Sequence, residues 1–449
     1  MKLRVGLKAA LAVITLLTAG PGMAADFMAG AAKADITPDV QKMEIPSSGY
    51  GNRGKKPMEG VHDPVYCKAL ALTDGEEKAA IVTCDLSGIS PSVRQMIIER
   101  LDGQGYTDEN LMMTASHTHS GPGALEDNIY ARVVFGGYNE EYAISVADRV
   151  AAAIRQADAG MEHAVLKAGT ATVKDATRNR RDPAKSYDYD TRRFTDAYEP
   201  ERPENVVDPE VTVLKIDGID GSPIAVMFNF ATHGTVLGAD NMLISADWPG
   251  VTQREIEDRY PGAVAMFVNG AIGDQAPAMD DDDTSDMEYL EIIGKKVAAG
   301  VFDAAESAEP ITAYPVVPVM ERREVPAGNL VIDSSLNGKP IHIKFPKAFV
   351  RHYFPEVPLQ AVRLGDAVIM GTPMEMVSDI GHAMKAGAKG QGISYPVVAG
   401  LANAKLFYCV TPDDFPQGGY EVGLTIYGKT EAAMLIGEQM LLVRDTMQQ

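Results

Sequence analysis

Short apolar, β-branched runs that stop abruptly at polar or glycine-rich loops recur along the chain from Val65, with helical segments between them. No other feature restricts the fold as much. Such an alternation calls for mixed β-sheets flanked by helices, an α/β architecture. Val65–Leu72 and Ala79–Leu86 flank Asp74-Gly75-Glu76-Glu77, which reads as a hairpin turn. If residues 73 and 78 pair, Cys67 falls opposite Cys84. A cross-strand disulfide and two small buried thiols both fit that register. Cys409, the third cysteine, has no obvious partner. Ser90-Pro91 is an N-cap followed by proline at the first helical position, so a helix runs from there to about Leu101. Further helices are predicted over 142–157, 249–259, 287–304, 375–388 and 430–443. Gly365-Asp366 marks a second hairpin. Leu406–Val410 reads as a strand. The stretch 174–206, crowded with Arg, Asp, Tyr and Pro, reads as a long surface loop. Residues 310–358 read as a peripheral excursion. The acidic run Asp280–Asp283 reads as a solvated loop ahead of a helix.

The first residues are a leader. Lys2, Arg4 and Lys8 precede the apolar run Ala9–Ala19, and Gly22-Met23-Ala24-Ala25 supplies small residues for cleavage. The expected organisation is a signal peptide over 1–25 and one large domain over 26–449, exported to the periplasm or secreted. The net charge is −21, and loss of the three basic leader residues takes it to −24. A surface of that sign repels phosphate backbones and anionic lipid, which argues against nucleic-acid partners. No later stretch has the length of a membrane span, and nothing in the sequence fixes an oligomeric state.

In open α/β sheets ligands bind beyond the strand C-termini. Five strand ends give way to polar sequence: Ser116–Gly123, Ala231–Gly234, Asn269–Asp274, Gly371–Glu375, and the segment from Tyr408 to Tyr420. Three of the eight histidines, His117, His119 and His233, lie in the first two. His117 and His119 are two apart, so in an extended segment both point the same way. Zinc takes neutral imidazole and carboxylate oxygen with one position open, and His117, His233 and Glu375 supply such a set. Histidines satisfied at loop turns are the plain alternative.

These residues resemble the neutral ceramidases. The similarity runs in order through Gly30–Pro38 (GAAKADITP), Gly60-Val61-His62-Asp63, HTHSGPG at His117–Gly123, Asn179-Arg180, ATHGT at Ala231–Thr235, Gly273-Asp274, PMEMVSDIG at Pro373–Gly381, and the block from Asn403 to Gly428. The resemblance implies a single large ceramidase-like catalytic domain with one Zn2+. It implies zinc ligands at His117, His233, Glu375 and Tyr408, and catalytic roles for His119, Arg180 and Tyr420. His119 would relay a proton, and Arg180 or Tyr420 would donate to a developing oxyanion. Gly273, Asp274 and Ala276 would line the substrate.

Two departures from the family are expected to matter. Ala276 stands where the ceramidases place a serine, and the sequence ends at Gln449 without the family's C-terminal β-sandwich. The expected activity is hydrolysis of an N-acyl amide in a small-molecule or lipid-like acyl substrate by a metal-activated water. Ceramide itself is expected to be a poor substrate. The alternatives are the same zinc scaffold acting on an ester, lactone or glycosidic bond, and a binding protein that has lost the chemistry.

Overall fold

The computed structural model describes residues 27–127, 137–181, 187–189, 191–194, 207–311, 315–324, 330–336, 339–345, 348 and 356–448. The segment 1–25, expected to be a leader, lies outside the described residues.

Two sheets pack face to face between two layers of helices. Among the described residues the larger has nine strands. Eight run in the order Val264–Asn269, Pro223–Phe230, Glu210–Gly218, Glu162–Thr172, Met28–Asp35, Tyr66–Thr73, Lys78–Cys84 and Leu111–Ala115, and Glu309–Pro310 pairs with Glu162–Thr172. The smaller has four, Val316–Arg323, Val357–Leu364, Ala367–Gly371 and Tyr395–Ala399. Strand alternation sends successive side chains to opposite faces. Leu70, Leu72, Ile81 and Met112 therefore point to the second sheet, where they share a core with Leu364, Ile369 and Val397. Cys67, Ala69, Ala71 and Val82 point the other way, onto helices Pro91–Arg100 and Glu140–Ala159. Helices Asp247–Arg259 and Asp286–Glu306 cover the rest of that face. Ser378–Gly390 and Glu431–Thr446 cover the outside of the smaller sheet.

Most local expectations are met. Thr73 pairs with Lys78 and Cys67 with Cys84, and the two cysteines are joined as a disulfide. Leu364 pairs with Ala367 across Gly365-Asp366. Ser90 Oγ accepts the Val93 amide at the N-terminus of its helix. Asp280 pairs with Arg178, and Ser285, not the acidic run, caps the helix that follows.

Four expectations are corrected. Glu375 does not open a helix. Glu375–Met376 is a short strand parallel to Tyr408–Cys409, and the helix starts at Ser378. The Met376 carbonyl accepts from the Gly273 amide at 2.7 Å and the Ile380 amide turns to the Val377 carbonyl, so the helical ladder begins only after Met376. The predicted strand Leu406–Val410 is confined to Tyr408–Cys409. The stretch 174–206 is not all surface: Thr177–Asn179 pairs with Gln275–Pro277 in the interior, although 182–186, 190 and 195–206 lie outside the described residues. Finally, Val316–Arg323 within 310–358 is an integral edge strand paired with Val357–Leu364, while Leu330–Leu336 and Lys339–Phe345 form a separate hairpin.

Candidate metal centre

Three parallel strand pairs end at one place. Leu111–Ala115 delivers the loop with His117 and His119. Pro223–Phe230 delivers His233, and Val264–Asn269 delivers Gly273 to Ala276. The fourth contribution, Glu375, follows Ala367–Gly371 and is locked beside Tyr408. A bridge between Thr118 and Gly234 ties the two histidine loops together. His117 is not in an extended segment. Its φ is 61°, so the chain turns there, and this turn rather than strand alternation turns His117 toward His119.

The imidazole nitrogens of His117, His119 and His233 lie within 4.8 Å of one another, and the group could hold a metal ion. His117 Nδ1 donates to the Ser87 carbonyl at 2.6 Å, and His233 Nδ1 donates to the Gln275 carbonyl at 2.8 Å. Those bonds fix each tautomer, so both Nε2 atoms carry lone pairs. Both Nε2 atoms then face Glu375 Oε2 at 3.2 Å. Three acceptor atoms thus converge in a buried place with no proton assigned between them. A cation among them would relieve their mutual repulsion, and nitrogen with carboxylate oxygen is a transition-metal set.

Tyr408 completes the ring. Its hydroxyl lies 3.4 Å from His233 Nε2 and accepts from Arg180 Nη2 at 3.0 Å. Burial pushes this phenol well above its ordinary value, with Arg180 pulling it back. Arg180 is itself buried. Its Nε donates to Glu421 at 2.8 Å and its Nη2 also donates to the Gly273 carbonyl at 2.7 Å.

His119 differs from the other two imidazoles. Its Nε2 is 3.0 Å from His117 Nε2, yet its Nδ1 is buried with no partner among the described residues. Burial, then the neighbouring His117 and His233, holds it well below the ordinary histidine value. Tyr50 packs edge-on against it at 4.7 Å between ring centres. Tyr420 stands at the mouth, 47% exposed, with its ring 5.6 Å from that of Tyr408 and no hydrogen bond among the described residues. Gly273 is a close-approach position, because a Cβ there would meet the backbone of Glu375 and Met376 at 2.8 Å.

The family described as "Neutral/alkaline non-lysosomal ceramidase, N-terminal" matches residues 27–290. The chain belongs to the neutral/alkaline ceramidase family. The neutral ceramidase of Pseudomonas aeruginosa is 23% identical over 94% of this chain and 73% of its own length. That of Mycobacterium tuberculosis is 23% identical over 90% and 74%. The crystal structure of the Pseudomonas aeruginosa neutral ceramidase superposes with a TM-score of 0.78 over 94% of this chain and 75% of that one, at 23% identity. A structure titled as a ceramidase complexed with C2 gives 0.77 at 21% identity over 93% and 75%. The fold is the ceramidase fold.

Within this ceramidase-family site two expected substrate residues have other surroundings. Asp274 is consumed by the protein: its carboxylate takes the Ser378 amide at 2.8 Å, the Ser378 hydroxyl at 3.0 Å and Asn179 Nδ2 at 2.8 Å. Burial raises it to about 6. It braces the start of a helix rather than facing the cleft. Ala276 is fully buried and packs against Tyr187.

Several supports of the ceramidase site were not anticipated. Trp248 Nε1 donates to the His233 carbonyl at 2.9 Å, and Asp247 collects the amides of Val236, Leu237 and Trp248. Asp247 has a φ of 58° and is wholly buried, and in that conformation its carboxylate meets all three amides. Arg53 ties the two histidine loops together, donating to the carbonyls of His119, Gly238 and Ala239. A single tryptophan directly after an aspartate was the one sequence signal for this brace.

Proposed function

We propose that the protein is an exported zinc-dependent hydrolase that cleaves an N-acyl amide bond. The observation that carries this is the convergence of His117, His233, Glu375 and Tyr408, with both imidazole lone pairs aimed at one carboxylate oxygen. The family relation supports the same class. A zinc ion held there would polarise a carbonyl and bring the pKa of bound water to about 7.

The chain's own residues divide the remaining work. His119 is neutral at pH 7 and its Nδ1 is not pinned, so it can accept a proton and pass it to the leaving amine. Tyr420, with no hydrogen bond to its hydroxyl among the described residues, is the donor for an oxyanion. Arg180 is committed to Glu421, Gly273 and Tyr408, which makes it the positioning residue for Tyr408. That sharpens the expectation that either Arg180 or Tyr420 donates.

Export is supported by the leader-like composition expected over 1–25 and by the disulfide, since disulfides persist in oxidising compartments. Residues 26–449 would then be one catalytic unit. No helix among the described residues is long and apolar enough to cross a membrane. Ala276 favours substrates other than ceramide: a methyl against Tyr187 offers no hydrogen bond where the relatives are expected to place a hydroxyl.

The test begins with metal analysis of the purified protein. It continues with removal by a chelator, restoration with zinc, and specificity constants for a long-chain ceramide against soluble N-acyl amides, esters and glycosides. One zinc per chain with turnover best on a non-ceramide amide is expected. Zinc with turnover only of esters or glycosides would move the assignment to another bond on the same scaffold. Ceramide at the head of the panel would overturn the substrate part.

A further inference from the structure

Two cavities flank the metal set, and their walls differ in chemistry. On the oxygen side, a cleft of about 520 Å³ lies between Phe415, Pro416, Tyr420 and Val422. Glycines make up the rest of its lining, so its wall is hydrocarbon and aromatic ring. On the imidazole side, a basin of about 700 Å³ is lined by Asn52, Arg53, Lys56, Thr191, Asp240 and Asp282, among others. Arg53 and Tyr50 join this basin to His119. The Arg53 guanidinium donates to the His119 carbonyl and lies 4.9 Å from the centre of the Tyr50 ring, and that ring packs edge-on against His119. Burial raises the Tyr50 phenol well above its ordinary value, and the first charge that opposes it is Arg192, on the basin wall.

The basin holds charges of both signs. Arg192 and Arg193 are paired with Asp286, and the carboxylates of Asp240 and Asp282 share the wall with Arg53 and Lys56. An anionic ligand there meets carboxylates, and a cationic one meets guanidinium and ammonium. A neutral hydroxyl both donates and accepts, so it can bond to either kind. Asn52, Lys56, Thr191, Asp240 and Asp282 are exposed to water. Ligand hydroxyls replace that water bond for bond, whereas hydrocarbon strips it and returns nothing. Of the lining residues only Ala239 and Met242 have wholly apolar side chains.

Orientation follows from the two catalytic side chains. The departing nitrogen must lie beside the proton carrier His119, on the basin side, and the carbonyl oxygen beside Tyr420. The acyl group is then directed to the apolar cleft and the amine portion to the basin. We propose that the basin is the subsite for the amine portion, and that the substrate class is an N-acyl amine whose amine portion is a hydroxyl-rich ring, an N-acyl amino sugar. This rests on the amide-hydrolase reading above. Hydrolysis adds water across the amide C–N bond: the oxygen joins the acyl carbon to give a carboxylic acid, and the departing nitrogen takes up a proton to give the free amino sugar.

The experiment compares N-octanoyl glucosamine with N-octanoyl cyclohexylamine. They share an acyl chain and a six-membered ring on nitrogen, and differ in the ring's hydroxyls. The wild type is expected to favour the glucosamine conjugate by about 10- to 100-fold in kcat/KM, mostly through KM, the range of two or three neutral hydrogen bonds. In the double variant Asn52→Ala/Asp240→Ala, at two exposed positions, that ratio falls about 10-fold toward one with zinc content retained. Phe415→Ser, in the apolar cleft, lowers turnover of both conjugates alike, because they share the acyl chain. A wild-type preference for the cyclohexyl conjugate, an equal loss on both substrates in the double variant, or a changed ratio in Phe415→Ser would overturn the proposal. Calorimetric binding of the glucosamine conjugate to wild type and double variant is read separately. If neither conjugate is hydrolysed, the amide-hydrolase reading fails by itself. The subsite then stands only if the glucosamine conjugate binds the wild type about 10-fold or more tighter than it binds the double variant, and it falls if the two dissociation constants agree.

Discussion

The two halves of the metal centre are built differently. The imidazole half, His117, His119 and His233, hangs from strand ends of the nine-stranded sheet and is pinned by backbone. Ser87 and Gln275 carbonyls fix two rings, and Trp248 holds the carbonyl of His233. The oxygen half, Glu375, Tyr408 and Tyr420, follows the smaller sheet. It rests on a two-residue parallel strand pair and on side chains, chiefly Arg180 reaching across from the other half. Backbone anchors survive most substitutions, whereas side-chain anchors can be removed one at a time. The imidazole half should therefore determine whether metal binds, and the oxygen half how well the bound site works.

The largest effects should come from the imidazole half. His117→Ala and His233→Ala are expected to abolish stoichiometric zinc. They should lower activity by more than the roughly 10–100-fold that loss of an outer partner costs. Circular dichroism should stay close to wild type, since the rings hang from strands whose ladders do not depend on them. Full zinc content in either variant would break the division drawn above. His119→Ala should keep its zinc and lose about 10²–10⁴-fold in turnover, the range for a positioned proton carrier. Loss of zinc with that substitution would make His119 a ligand.

Acid should also strike the imidazole half. Burial holds His233 down to about 4 in the folded, metal-free protein, against about 6.5 for an unfolded histidine. A folded value below the unfolded one means that the unfolded chain binds the proton first. The contribution to stability is therefore complete above about pH 6.5 and is lost as the pH falls toward 4. The gap in unfolding free energy between metal-free wild type and His233→Ala should narrow by about 3 kcal/mol over that window. Denaturant titrations at pH 7 and pH 4 measure it. The comparison must be made between variants, because Asp85, Asp247 and Asp274, each raised to about 6 by burial, act in the opposite direction.

Arg180→Met tests the tie between the halves. It leaves Glu421, fully buried, with Arg181 as its remaining cation and frees the Tyr408 hydroxyl. Breaking a buried pair from one side costs about 3–5 kcal/mol, and the surviving Arg181 contact places this case at the low end. Thermal unfolding should shift downward, while zinc stays bound through the imidazoles.

The same contrast explains what could be read in advance. Hairpin registers were legible because a turn of known length sets which residues oppose, as at Thr73–Lys78 and Leu364–Ala367. The helix starting after Ser90 was legible from its cap. Of the converging residues, His117, His233 and Glu375 were legible from strand ends and donor chemistry, and Tyr408 only through the motifs of the neutral ceramidases, because it reaches Glu375 through folding and not through spacing. Glu375 was misplaced onto a helix because its following residues, Ser378–Gly390, are helical, and nothing local shows that Glu375 pairs with Tyr408. The brace of Arg53, Asp247 and Trp248 left almost no trace, since it acts on backbone carbonyls and amides, which every sequence contains.

The smallest effect, and the one that discriminates most finely within the oxygen half, is expected at Tyr420. It sits on the four-residue helix Tyr420–Gly423, preceded by Gly418 and Gly419 with φ of 69° and 95°. Its ring touches those of Tyr189 and Tyr408, and the Arg180 guanidinium lies 5.5 Å from its centre. Tyr420→Phe keeps every one of those ring contacts and removes only the hydroxyl, so stability and zinc content should not change. A fully buried oxyanion donor is worth about 10²–10³ in turnover. Tyr420 is 47% exposed, and water can take over part of its bond, so the expected loss is nearer 10-fold. The loss should fall on kcat and leave KM almost untouched, because the bond strengthens only as charge develops. A rise in KM at constant kcat would instead make Tyr420 a wall of the substrate groove. The role of oxyanion donor would then have to pass to Arg180, at the expense of its hold on Tyr408.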